Sequence, residues 1–278
     1  MSTWFITGTS RGFGHRLVAA ALEAGDHVVA TARRPDGIAE AFSDAGDRLL
    51  VQDLDVGDEA QAAAAVESGV RRFGRIDVVV NNAGYGIFGA VEELSDAEVR
   101  AIFDANVFGV LNVTRAVLPT LRAQGSGRII NIGSSAGIVV GAGRGIYGAT
   151  KFAVEAISEA LCAELAPLGV RVTVVEPGSF RTDFLAHHEQ RRPRKSDDAY
   201  AETVGALQNA IDGLEGRQPG DPAKAVAAIR ALAAAQDPPL RLPLGTDSVA
   251  LMAQKAASLA ETADAERVRA AATDFPMT

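Results

Sequence analysis

The sequence predicts an α/β fold, a three-layer doubly wound parallel sheet with helices on both faces. Three observations carry that expectation. Short apolar runs rich in Val and Ile recur along the 278 residues, and strands this apolar suit a sheet covered on both sides. Longer stretches of helical period fill the gaps between them. Repeated strand–helix–strand units imply parallel pairing through right-handed crossovers.

Taken in order, Trp4-Phe5-Ile6 reads as the first strand, His27 to Thr31 as the second and Leu49-Leu50-Val51 as the third. Ile76 to Val80, Arg128 to Ile132 and Val170 to Val175 follow. Helical patterns occupy about 12–24, 58–73, 95–121 and 147–168. In the last of these, Ala153, Ile157, Leu161, Leu165 and Leu168 form one apolar stripe. After Pro177 the rhythm weakens. Residues 181–220 are polar and irregular, the pattern of a lid or a disordered stretch. Asp221-Pro222 then starts a helix over 222–235, with Pro at its first position. Leu240 to Leu244 reads as an edge strand, because Pro243 has no N–H to give a ladder. A C-terminal helix or two follow Asp247. No repeat, linker or second core is visible, so the expectation is one domain, 1–278, with a variable lid at about 181–220.

Composition narrows the function. Hydrophobic residues at 47% and charged residues at 22% describe a globular chain. Lys plus Arg at 27 against Asp plus Glu at 35 leaves a net charge of −8. That disfavours nucleic acid, whose phosphates are held by Lys and Arg, though a local basic pocket stays open. Cys162 is the single cysteine, so no internal disulfide framework exists. Four histidines without HExxH-like spacing argue against a dedicated metal site. His187-His188 reads as part of a polar lid, and the basic run Arg191 to Lys195 as a solvated loop. No signal-peptide pattern, apolar span of bilayer length or C-terminal lipidation signal is present. The expectation is a cytoplasmic protein without a membrane or nucleic-acid partner.

Two motifs point to chemistry. Thr7-Gly8-Thr9-Ser10-Arg11-Gly12-Phe13-Gly14 sits between the first strand and the first helix. Glycines there allow backbone amides to approach a pyrophosphate, and the helix N-terminus adds partial positive charge. The spacing is Gly-x-x-x-Gly-x-Gly, not Gly-x-Gly-x-x-Gly, and any tight strand-to-helix turn could also use glycine. The second strand ends in Ala32-Arg33-Arg34, with no carboxylate before Asp36. In a dinucleotide fold an Arg at that place accommodates a 2′-phosphate, and Arg11 is a second cation for the same purpose. The cofactor expected is NADP(H) rather than NAD(H). Two exposed surface arginines are the bland alternative.

Tyr147 and Lys151 are four residues apart, which puts both on one face of a helix. Ser134 precedes Tyr147 by thirteen residues, in a loop at the end of an apolar strand. Ligands of open α/β sheets bind at those ends. Asn106 stands inside a helical pattern that its low propensity does not explain; an exposed helix residue and a kink both fit.

With these motifs together, the chain resembles the short-chain dehydrogenase/reductase family, in its single-domain, classical-type branch. The matching residues are Thr7-Gly8-x-x-x-Gly12-x-Gly14, Leu54-Asp55-Val56, Asn81-Asn82-Ala83-Gly84, Asn106, Ser134, Tyr147-x-x-x-Lys151 and Pro177-Gly178-x-x-x-Thr182. They span residues 3–182, and the remainder carries no family motif. The resemblance implies a Rossmann-like fold. It implies Tyr147 as general acid and base, and Lys151 as the charge that favours phenolate and holds the nicotinamide ribose. Ser134 would bind the substrate oxygen, and Asn106 would hold a relay water. Gly8, Ser10, Arg11, Gly12, Phe13 and Gly14 would meet the phosphates, and Arg33 the 2′-phosphate. Asp55 and Val56 would contact adenine, with Asn82, Ala83 and Gly84 on the adenosine ribose side. Pro177, Gly178 and Thr182 would face the carboxamide. Ser135 is an alternative to Ser134, disfavoured by the interval to Tyr147.

For substrate, Tyr85, Phe180, Phe184, Leu185 and Ile138 to Val140 offer apolar area. They fit a hydrophobic ketone or secondary alcohol, and equally a lid packed on the body. The resemblance implies a homodimer or homotetramer built on helices near 102–121 and 151–168. The reaction expected is NADP(H)-dependent interconversion of a carbonyl and an alcohol. A non-catalytic NADP(H)-binding regulator and another reaction on the same scaffold, such as epimerisation, are the rivals.

Overall fold

The computed structural model describes residues 1–185, 190–193 and 197–275. The His187-His188 pair, Arg194 and Lys195 lie outside the described residues. Seven parallel strands form the central sheet: β1 (Thr3–Thr7), β2 (His27–Ala32), β3 (Leu49–Asp53), β4 (Val78–Asn81), β6 (Gly127–Ile132), β7 (Val170–Pro177) and β9 (Arg241–Leu244). The order is β3-β2-β1-β4-β6-β7-β9, so the order reverses direction between β1 and β4. That switch point opens a crevice at the carboxyl ends of the strands. β9 is an edge strand, as Pro243 requires. Ile76, read as the start of the fourth strand, is buried just ahead of it. A two-residue strand β5 (Gly86–Ile87) pairs in parallel with β8 (Gln190–Arg191); neither is long enough to carry a period.

Side chains alternate across the sheet because the strand period is two. Trp4, Ile6, Val28, Ala30 and Val80 pack on one face with α1 (Gly12–Glu23) and α8 (Pro222–Ala234) through Leu17, Val18, Val226 and Ile229. Phe5, Val29, Val79 and Ile129 pack on the other with α3 (Glu59–Phe73) and α5 (Gly109–Gln124) through Ala62, Val66, Val113 and Leu121. The three-layer fold is as expected from the strand–helix alternation.

Several expectations change. A short helix α2 (Ile38–Ala41) follows β2. The helical pattern at 95–121 is α4 (Asp96–Phe103) and α5, joined by a π-helical turn at Asp104–Phe108. By length and composition Asp96–Gln124 could cross a membrane, and half of its most apolar window is buried in the body. α6 (Gly145–Leu165) is the helix predicted at 147–168, with a 3₁₀ turn over Ala166–Leu168. Its apolar stripe reaches the core only in part, through Leu165 and Leu161. Tyr147, Thr150, Lys151, Val154, Glu155 and Ser158 are buried, while Leu168 is 43% exposed. Polar side chains win the inner face because they are hydrogen-bonded there: Ser158 Oγ accepts from Asn131 at 2.9 Å and donates to Val154 O at 2.7 Å. The segment 181–220 is less irregular than its composition, since α7 (Ala206–Leu214) buries Ile211. A single helix, α9 (Thr246–Ala271), ends the described chain.

Candidate active site

β1 ends at Thr7, and the chain turns through Gly8 at φ +68° and Gly12 at φ +60°. A Cβ on Gly8 would lie 2.9 Å from Ala83 Cα, so only glycine fits that approach. Asn82 holds the loop in place, donating from Nδ2 to Thr7 O (2.8 Å) and Gly8 O (2.9 Å). Its Nδ2 therefore braces the turn, while the residue also lines the cavity. Gly14 is likewise a packing position, because a Cβ there would meet Gly8 O at 2.3 Å, and it does not line the cavity. Arg11 caps α1 without any side-chain hydrogen bond to the first-turn amides, and no acidic residue sits in that turn. Those amides are thus available to an anion. Phe13 packs edge-on against Phe180 with ring centroids 5.5 Å apart, tying this loop to the one after β7.

These pieces line a cavity of about 780 Å³ at the carboxyl ends of the strands. One end is bounded by Arg33, Arg34, Leu54, Asp55 and Val56. Val56 is held by Asn112, whose Nδ2 donates to Val56 O at 3.0 Å. Both arginines are exposed and form no ion pair among the described residues. Pro177, Gly178 and Thr182 line the middle. Asp247, at the start of α9, accepts from Ser179 N at 2.7 Å and fixes this stretch; nothing in its sequence surroundings marks it for the task.

The other end holds Ser134, Tyr147 and Lys151. Ser134 Oγ accepts from Ala136 N at 3.1 Å and hydrogen-bonds the Tyr147 phenol, which separates it from Ser135. Lys151 Nζ donates to Ile132 O at 2.8 Å and lies 5.9 Å from the Tyr147 ring centroid. Burial lowers the Lys151 ammonium to about 8, partly opposed by the Glu155 charge. Burial also pushes the Tyr147 phenol up to about 12, against the Ser134 hydrogen bond and the Arg144 charge. Ser134 and Arg144 oppose that burial, and Lys151 Nζ stands beside the ring.

Asn106 does not line the cavity. It is buried in the π-helical turn, and its side-chain amide makes three hydrogen bonds. Oδ1 accepts from Tyr85 N (3.0 Å), while Nδ2 donates to Tyr85 O (2.9 Å) and Thr150 Oγ1 (3.0 Å). The side chain locks the loop after β4 to α6, with both Nδ2 hydrogens used and one lone pair of Oδ1 left beyond the bond from Tyr85 N. The wall around Tyr147 is Tyr85, Phe88, Phe184, Ile211 and Leu214. Ile138 to Val140 do not line it, and the side chain of Leu185 lies outside the described residues. Phe88, Ile211 and Leu214 come from segments without a motif, and only the folded chain brings them here.

A family model described as short chain dehydrogenase matches residues 2–193. An oxidoreductase of Botryotinia fuckeliana, BOA17, is 40% identical over 262 residues, 94% of each chain. The 3-ketodihydrosphingosine reductase of Bacteroides thetaiotaomicron is 37% identical over 241 residues, 86% of each. Among solved structures, a short-chain dehydrogenase from Streptomyces avermitilis is 40% identical with a TM-score of 0.92, covering 99% of both chains. The closed form of a serine dehydrogenase complexed with NADP+ is 28% identical with a TM-score of 0.74, covering 87% of this chain and 94% of that one.

Proposed function

The chain belongs to the short-chain dehydrogenase family of oxidoreductases, and from that membership we propose that it interconverts a carbonyl compound and an alcohol with NADP(H). The observation carrying this reading is the convergence of Ser134, Tyr147 and Lys151 on one end of a cavity whose other end presents Arg33 and Arg34. The uncapped first-turn amides of α1 fit a pyrophosphate. Arg33 and Arg34 fit a 2′-phosphate through charge-assisted hydrogen bonds. The serine dehydrogenase bound to NADP+ supports that cofactor, and the ketodihydrosphingosine reductase supports a ketone as substrate.

The nicotinamide cofactor, when bound, supplies or accepts the hydride. Tyr147 donates its phenolic proton to the carbonyl oxygen in reduction and takes it back in oxidation. Ser134 donates a hydrogen bond to the same oxygen as charge develops on it. Lys151 holds the nicotinamide ribose and keeps positive charge beside the phenol. Asn106 positions these groups through Tyr85 and Thr150. Phe88, Phe184, Ile211 and Leu214 bury the apolar part of the substrate, and the described parts of 181–220 act as a lid. A homodimer or homotetramer in the cytoplasm completes the reading.

The test follows NADPH absorbance over a panel of ketones with the unmodified chain and Tyr147→Phe. Steady oxidation with alcohol formation, lost in the variant by about 10²–10⁴-fold, is the expected outcome. Tight NADPH binding without turnover of any carbonyl would replace the reading with a regulatory one.

A further inference from the structure

The end of the cavity near Tyr147 holds a cation without a partner among the described residues. Arg144 is the N-cap of α6, three residues before Tyr147. It lines the cavity. Its Nε is buried without a hydrogen-bond partner, and among the described residues its side chain forms no ion pair or hydrogen bond. Other inward cations are engaged: Lys151 on Ile132 O, and Arg241 on Glu155 and Glu176. The backbone carrying Arg144 is fixed. Its N–H donates to Gly141 O at 3.2 Å, and Gly143 O accepts from Gly89 N at 2.9 Å.

The buried Nε of a guanidinium on a cavity whose wall includes Phe88, Phe184, Ile211 and Leu214 loses water and gains nothing from the protein in return. A ligand oxoanion would restore the missing partner through the planar fork of donors. One guanidinium matches one carboxylate, whereas a phosphate dianion calls for more cations than this end offers. Tyr85, Tyr147, Lys151 and Asp183 line the cavity with it, and Asp55 lines the other end; among the described residues no carboxylate forms an ion pair with Arg144. Arg144 caps the helix three residues before Tyr147, lines the same cavity and acts on the Tyr147 phenol through its charge, which places an anion bound to it near an oxygen held by Tyr147.

We propose that Arg144 is the carboxylate anchor of the substrate site, and that the substrate is an oxo acid, or the corresponding hydroxy acid, with an apolar remainder. This rests on the carbonyl–alcohol reading and narrows its substrate class. No motif of the chain includes Arg144.

The experiment has two arms. In the first, kcat/KM is measured with NADPH for oxo acids carrying the ketone at C2, C3 or C4, each against its methyl ester. The unmodified chain should favour at least one acid over its ester by about tenfold or more, consistent with a charged hydrogen bond of about 1.5–3 kcal/mol. The acid-to-ester ratio should fall towards one in Arg144→Gln, through KM, and be partly retained in Arg144→Lys. Loss of the Arg144 charge also raises the Tyr147 phenol, but for acid and ester alike, so the ratio isolates the anion contact. In the second, calorimetry compares hexanoate with hexanamide on the NADPH-loaded chain. Hexanoate should bind more tightly, and Arg144→Gln should remove the difference. An ester preference in the unmodified chain, or an acid preference that survives Arg144→Gln, would overturn the anchor. Absence of all turnover would overturn the oxidoreductase reading instead, and the calorimetric arm would still decide the anion site.

Discussion

Tyr147 is held in a setting that favours its neutral form, with the phenol pushed up to about 12 by burial. A phenol below its pKa is protonated, so it is ready as an acid for reduction and must lose a proton before it can serve oxidation. Reduction should therefore stay level between about pH 6 and 8, and oxidation should climb from about pH 7 towards 9. NADPH absorbance in both directions measures this, and oxidation that fell over that interval would contradict it. Deprotonation of Lys151, lowered to about 8, removes its positive charge as pH rises and should bring reduction down above that value. The two serines are separated by their contacts. Ser134→Ala should lower kcat by about 10²-fold or more, as loss of an oxyanion donor does, whereas Ser135→Ala should leave most activity; the reverse ranking would exchange their roles. Arg33→Asp should lower the NADPH-over-NADH preference by about 10–100-fold in kcat/KM, the weight of one charged hydrogen bond. An NADH preference in the unmodified chain would contradict the assignment.

Among the elements, α6 is organised by polar contacts as much as by apolar ones. Below Lys151 it buries Glu155, which shares Arg241 with Glu176 of β7 and helps join the edge strand β9 to the body. Burial and the nearby Glu176 charge hold the Glu155 carboxyl well above its ordinary range. Arg241 is the cation that makes this pair of carboxylates tolerable. Its removal leaves two buried acids facing each other, so Arg241→Ala should destabilise the chain by on the order of 3 kcal/mol. Urea unfolding measures this, and Glu176→Gln in the same background should recover part of the loss. An unchanged midpoint would mean that the cluster is inconsequential. The helical period over 95–121 was legible, but not the π-helical turn inside it. That turn depends on Asn106 finding Tyr85 and Thr150, residues 21 and 44 positions away.

At the scale of the molecule, seven parallel strands bring their carboxyl ends to one edge, and the motif residues collect there although they span residues 7–182. The outward faces of α5 and α6 matter too. Phe108 is 49% exposed and Phe152 41% exposed, where a proposed second copy of the chain would cover them. Phe152→Arg should shift the population towards smaller species in sedimentation, and an unchanged assembly would move the interface elsewhere. The apolar stripe at Ala153 to Leu168 was borne out only at Leu161 and Leu165, because hydrophobic period does not register polar side chains that are buried by hydrogen bonding.

The strand–helix alternation, the three layers, the glycine turn and the Ser134, Tyr147 and Lys151 set were already legible in the sequence, because each depends on local period, backbone freedom or a short interval along the chain. Tertiary structure alone decided the strand order, that Asn82 and Gly14 brace the turn, that Asn106 ties the loop after β4 to α6, that Phe88, Ile211 and Leu214 wall the cavity, and that Arg144 enters it without a partner among the described residues. Those facts concern what meets across long separations, and a linear pattern does not encode which buried polar group has been satisfied and which still waits for a ligand.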